Sequence, residues 1–224
     1  MLDAGGFSQK KAFELKTDRF ILYLCRMLTK SDRTKQHIVE QAAGLFNRKG
    51  FAGTSMSDIM EATGLTKGGL YGNFESKELI AIQAFDYAFG RVMEELTFKL
   101  RQQDKMADKL HALCDYYRNY SVHSPVEGGC PIMNFGLEAD DTFPELRKRV
   151  AAAIDRQLND LERIIRAGQK KGELKPDIDP ELTANLIYTQ IDGAIMMAKT
   201  TGQHKRLNRV LDYLKNWIDT ELKV

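Results

Sequence analysis

The stretch from Ser55 to Phe74 leaves this chain few folds to choose from. Ser55-Met56-Ser57-Asp58 is an S-x-x-D capping box, in which a serine hydroxyl and an acidic side chain three residues on satisfy each other's backbone N–H. The short helix it opens runs through Ile59 and Ala62 and stops at Gly64. Thr66 can cap a further short helix, Lys67 to about Phe74, whose Leu70 and Phe74 sit four apart on one face. Two short helices joined by a glycine-containing turn form a helix-turn-helix signature.

The flanking sequence is helical throughout. Ile38, Val39, Ala42, Leu45 and Phe46 fall at helical spacing, with Asp32 or Thr34 available as N-cap and Gly50 as the stop. From Ser76 a long helix carries Leu79, Ile82, Phe85, Phe89, Val92, Leu96 and Leu100 at spacings of three and four, and links two domains. Leu110, Leu113, Tyr117 and Tyr120 mark the next, ending before the breaker-rich run 124–129. Thr142-Phe143-Pro144-Glu145 reads as a second capping box, opening a helix through Leu146, Val150, Ile154, Leu158, Leu161 and Ile165 to about Gly168. Asp179-Pro180 starts a helix that Gly202 stops, and Leu207 to Ile218 supply the last apolar stripe. No strand run or repeat is present. The expected fold is all-α: an N-terminal extension over 1–30, a three-helix helix-turn-helix DNA-binding domain over 31–78, and a larger helical domain over 79–224, to which the resemblance described below assigns ligand sensing and dimerisation.

Composition adds exclusions. A net charge of +2 does not by itself point to nucleic acid, so that inference rests on the motif. Cys25, Cys114 and Cys130 make no even-numbered framework and no CxxC pair, which points to a reducing, cytoplasmic setting. The apolar run Phe20 to Cys25 is far short of the roughly 18 residues a membrane span needs, so no membrane partner is expected. Residues 1–26 lack helical spacing. They read either as an extension of the fold or as sequence preceding a natural start at Met27.

The run Gly64-Leu65-Thr66-Lys67-Gly68-Gly69-Leu70-Tyr71-Gly72-Asn73-Phe74-Glu75-Ser76-Lys77-Glu78-Leu79 resembles the signature of TetR-type repressors, and the likeness extends over residues 33–80. The resemblance implies a homodimer on a palindromic double-stranded DNA operator, released by a small-molecule effector. Thr66 and Lys67 would stand at the end of the recognition helix that meets base edges, with Lys67 the candidate for base readout. Gly68-Gly69 is costly in a helix, up to about 1 kcal/mol each relative to alanine. Either close approach to DNA or a crowded turn would account for it. Tyr71 and Lys77 resemble the family's phosphate contacts, and Asn73 stands where the family often has histidine and could still donate to phosphate. Thr54 and Ser55 offer phosphate donors or simple caps. Met60 replaces a usual small residue.

The same resemblance implies a dimer interface on the last two helices and an effector cavity lined by Phe85, Phe89, Met93, Tyr117, Tyr120, Met133, Phe135 and Tyr188. Cys130, after Gly128-Gly129 and before a short helix, is a candidate redox sensor if exposure and helix amides favour its thiolate. The alternative is a small apolar thiol tucked into the core. A metal-sensing reading would use His111, Cys114, His123 and Cys130. Scattered histidines and the absence of HExxH, GxSxG and phosphate-loop patterns argue against an enzyme, and no cofactor or metal is expected.

Overall fold

The computed structural model describes residues 29–224; the expectations for Met27, Cys25 and the run Phe20 to Cys25 lie outside them. Nine α-helices follow one another in the described residues, with no extended strand among them. They are α1 (Lys30–Lys49), α2 (Met56–Thr63), α3 (Lys67–Tyr71), α4 (Lys77–Arg101), α5 (Met106–Tyr117), α6 (Pro131–Thr142), α7 (Pro144–Lys170), α8 (Pro180–Thr201) and α9 (Lys205–Trp217). A π-helical turn, Ile218–Leu222, closes the chain and is pinned by Lys175 N–H donating to the Leu222 carbonyl at 2.8 Å.

Local chemistry sets most boundaries. The box at Ser55 and Asp58 forms as expected, and Gly64 ends α2 in the left-handed region at φ 68°. Thr66 and Ser76 cap α3 and α4 by accepting from Gly69 N–H and Leu79 N–H. Two expectations are corrected. Helix α1 is capped by Thr29 rather than Asp32 or Thr34, because Asp32 completes a capping box with Thr29 while the Thr34 hydroxyl turns back to the Lys30 carbonyl at 2.9 Å. No box opens α7 at Thr142. Residue 142 ends α6, Phe143 is the N-cap without a side-chain bond, and Pro144 fits the first turn because its missing N–H would have no partner there.

Helix α4, 25 residues and about 37 Å long, belongs to both halves. Its Ile80, Ala81 and Ala84 bury against the apolar face of α1, where Ile38, Val39, Ala42 and Phe46 recur every three or four residues. Its Val92, Met93 and Leu96 face the sensor helices α5 to α8, so the boundary expected at 78/79 runs through a continuous packed rod.

Phe46, 1% exposed, joins the halves. Its ring stacks on Phe51 at 6.1 Å and meets Phe135 of α6 at 6.3 Å, and Phe135 packs edge-on against Phe85 of α4 at 5.5 Å. Burying such a ring contributes about 1.5–3 kcal/mol, and truncating it also leaves a cavity. Phe46→Ala should therefore lower unfolding free energy by about 3–5 kcal/mol, read as a shifted denaturant midpoint with an unchanged slope.

Candidate nucleic-acid interface and sensor cavity

Helix α3 has only five residues and is held from both ends. Its far end is closed by the Asn73 side-chain amide, which donates to the Gly69 carbonyl at 2.8 Å and accepts from the Ser31 hydroxyl at 3.3 Å. Helix α3 ends at Tyr71 rather than near Phe74, and the Asn73 side chain bridges α3 to α1, with one amide N–H left over.

The remaining outer edge of α3 is open. Lys67 is exposed, with its Nζ 5.9 Å from the Tyr71 ring centre, and Tyr71 is 45% exposed. The glycine pair is informative. Neither Gly68 nor Gly69 has a positive φ, and a Cβ on Gly68 would meet nothing within 4 Å. The crowded-turn explanation fails at Gly68, because nothing inside the molecule demands glycine there.

Two other candidates are spent internally. Thr54 is fully buried and its hydroxyl donates to the Gly50 carbonyl at 2.7 Å, so it cannot serve as a surface donor; its neighbour Ser55 stays at the surface as the α2 cap. The Lys77 ammonium donates to the carbonyls of Phe51 at 2.9 Å and Thr54 at 3.0 Å, with Nζ 4.1 Å from the Phe51 ring centre. It ties the turn before α2 to the start of α4, and at most one of its three N–H bonds is left for phosphate. Sequence reasoning missed Lys30 and Arg33, exposed residues of the first turn of α1 that border one shallow surface cavity with Leu65 of the turn before α3. The basic spacing Lys30, Arg33, Lys35 was the available signal.

Asn47, 2% exposed near the end of α1, connects this half to the sensor. Its amide donates to the carbonyls of Glu127 at 3.0 Å and Gly129 at 2.9 Å, and the Asn134 amide of α6 donates to both its backbone and its side-chain oxygen at 2.9 Å. Gly128 and Gly129 reach this pose at φ 110° and 95°, and a Cβ on Gly128 would lie 2.5 Å from the Asn47 carbonyl oxygen. Only glycine allows that approach. Lys199 of α8 donates to the carbonyl of Gly128 and to Asn134 Oδ1.

The same loop places Cys130 at the start of α6, buried, with Sγ 3.8 Å from Asp192 Oδ1 of α8. Burial first, then the Asp192 carboxyl, push its thiol up to about 12, outweighing the backbone amides of Ile132 and Met133 that favour the thiolate. The exposed, activated thiol considered from sequence is thus corrected in favour of a buried one. Cys114 is buried too, its thiol pushed up to about 11 by desolvation. The metal reading loses its ligands: among the described residues no three His, Cys, Asp or Glu side chains gather where an ion could bind, and His111 lies beside Asp219 at 3.2 Å instead.

A cavity of about 420 Å³ opens between α4, α5, α7 and α8. Of the residues expected to line it, Met93, Tyr117 and Tyr188 do. Phe85, Phe89, Tyr120 and Phe135 instead fill the core, and Met133 faces shallower grooves on the α6 side. Helical spacing marked these aromatics as inward but could not separate core from cavity wall. The missed lining is aliphatic and polar: Leu96, Leu100, Leu113, Leu161, Ile164 and Ile191, with Arg101, Lys109, Gln157 and Asp192.

Residues 38–84 match the model for bacterial regulatory proteins of the tetR family, and residues 107–214 match that for the tetracyclin repressor-like C-terminal domain. The fold is similar to a TetR transcriptional regulator from Chloroflexus aurantiacus, with 40% identity, a TM-score of 0.85, and 88% of this chain and 100% of that one covered. It is similar as well to a TetR-family regulator from Cytophaga hutchinsonii, with 40% identity, a TM-score of 0.82, and 88% and 98% covered. The HTH-type transcriptional repressor DhaR of Mycobacterium sp. (strain GP1) is 26% identical over 178 residues, 79% of this chain and 88% of that protein.

Two outcomes test the reassigned residues. Lys77→Met keeps the apolar stem but removes the donor from two carbonyls, and should lower thermal stability by about 1–3 kcal/mol, more than an exposed phosphate-contacting lysine would cost. Cys130 should react with a thiol reagent at pH 8 at a rate set by unfolding. Mild electrophile should therefore leave the operator affinity of wild type and Cys130→Ser equal, as measured by fluorescence anisotropy on the reduced proteins.

Proposed function

The chain belongs to the TetR family of bacterial transcriptional regulators, and we propose that it is a repressor that binds a two-fold symmetric operator as a homodimer and is released when a small molecule fills the α4–α5–α7–α8 cavity. The observation that carries this reading is the open edge of α3, where Lys67 and Tyr71 project and Gly68 lacks a side chain for no internal reason. Such an edge lets backbone amides approach a phosphate closely while lysine reaches base edges. Lys30 and Arg33 would add cationic contacts from α1.

The dimer follows from an uncovered apolar face. Leu182, Leu186, Met196 and Met197 of α8 and Tyr213 of α9 are 56%, 40%, 48%, 38% and 60% exposed. Packing this face on a second copy would bury it and set two recognition helices about one or more DNA turns apart.

Release would run through a short connected path. Asp192 lines the cavity and contacts Cys130; Cys130 leaves the Gly128-Gly129 loop; that loop is clamped to Asn47 of α1. A ligand that moves α8 against this loop favours a different seating of α1, and with it a spacing of the two α3 helices that no longer matches both half-sites.

Selection from a random duplex library should return an inverted repeat, and the bound species should have the mass of a dimer or a multiple of it. Monomeric binding to a single half-site would refute the dimer reading. On the selected duplex, Gly68→Ala should raise stability by up to about 1 kcal/mol through helix propensity yet weaken binding by about tenfold or more. Unchanged affinity would show that DNA does not approach the α3 backbone.

A further inference from the structure

The cavity has two chemically different ends. Helix α4 gives it an axis, since the rise from Met93 to Arg101 is about 12 Å at 1.5 Å per residue. At one end Met93 Sδ lies 3.6 Å from Gln157 Nε2; at the other the Leu100 carbonyl accepts from Lys109 at 3.0 Å. Leu96, Leu113, Leu161 and Ile191 form apolar wall along the cavity.

Charge is unevenly distributed along that axis. The outer end, where Arg101 and Arg163 are exposed, carries three cations: Arg101, Lys109 and Arg163. Arg163 pairs with Asp160, whereas Arg101 and Lys109 have no carboxylate partner among the described residues. The inner end has no cation. Its polar groups are the Tyr188 hydroxyl, buried beside Asp192 with no hydrogen bond of normal geometry, the Gln157 amide, whose one contact is a sulfur, and Asp192 itself. Burial raises the Asp192 carboxyl above its ordinary value, so the inner end disfavours charge.

We propose that the effector is an anionic amphiphile, with a carboxylate at the mouth held by Arg101 and Lys109, an apolar body along α4, and an uncharged far end facing Tyr188 and Asp192. The proposal rests on the reading of this cavity as the effector site. A cationic lipophile is the rival chemistry, using Asp192 as counter-ion. Its entry past two uncompensated cations and the cost of keeping a charge on the buried Asp192 carboxyl both count against it.

The probes are dodecanoate, dodecanol and dodecyltrimethylammonium, which share a tail and differ in head charge. Each is titrated calorimetrically below its micelle concentration into the full-length protein. Dodecanoate should bind about tenfold or more tighter than dodecanol, with the advantage shrinking at high salt. The advantage should fall several-fold in Arg101→Gln and vanish in the Arg101→Gln, Lys109→Gln double variant; if the double variant melts early, the single variant decides. Equal binding of the three probes, preference for the ammonium, or no binding by any of them overturns the proposal. Operator affinity is measured in parallel. Dodecanoate that binds with this charge dependence but leaves DNA binding unchanged upholds the ligand class and refutes the effector reading. Release by the neutral or cationic probe alone does the reverse.

Discussion

Asn47 is the joint on which this architecture depends. A buried side-chain amide is costly unless its donors and acceptors are met, and here they are met by groups from two different places. The loop carbonyls of Glu127 and Gly129 take its N–H bonds, while Asn134 of α6 supplies both of its oxygens. Lys199 of α8 then grips the same loop and the same asparagine. Because each partner is committed to another, α1 cannot shift alone without leaving buried polar groups unpaired. Phe46, the preceding residue, backs this joint with aromatic contact to Phe135, so one stretch of α1 carries both the polar and the apolar coupling between the two halves.

In the DNA-binding half, several residues with suitable chemistry for DNA are bonded within the chain. A five-residue helix cannot persist on its own hydrogen bonds, because nucleation costs more than so few bonds return. The Thr66 hydroxyl and the Asn73 amide supply the missing support from within the chain. What remains outward, Lys67, Gly68 and Tyr71, is the part that nothing internal requires. The division of labour is physical: Thr66 and Asn73 are bonded within the chain, whereas Lys67 and Tyr71 are exposed and Gly68 lacks a side chain.

The sensor half follows a similar rule. Phe85, Phe89, Tyr120 and Phe135 go to the core, where close packing rewards bulk, and the cavity is lined mainly by Leu, Ile and Met together with Tyr117 and Tyr188. Cys130 sits beside the inner end, where burial pushes its thiol up to about 12 and its Sγ stands 3.8 Å from Asp192 Oδ1.

Most local interactions were legible in the sequence, while the α1 cap at Thr29 and the α7 cap at Phe143 differed because neighbouring residues compete for the same helix start. The Ser55–Asp58 box, the Thr66 and Ser76 caps, the Asp179-Pro180 start and the Gly64 and Gly202 stops lie within three or four residues of the groups they satisfy, and each formed as read. The helical class, the helix-turn-helix and the family signature followed from them. Tertiary structure decided everything that depended on residues far apart in the chain. Lys77 reaches carbonyls more than twenty positions away, and Asn47 is bonded to a loop eighty positions on. Periodicity marks a side chain as inward without saying whether it meets another ring, as Phe85 does, or empty space, as Tyr188 does. The charge of a thiol such as Cys130 is set by how much water and which carboxyl surround it, and that environment exists only once α6 and α8 are packed together.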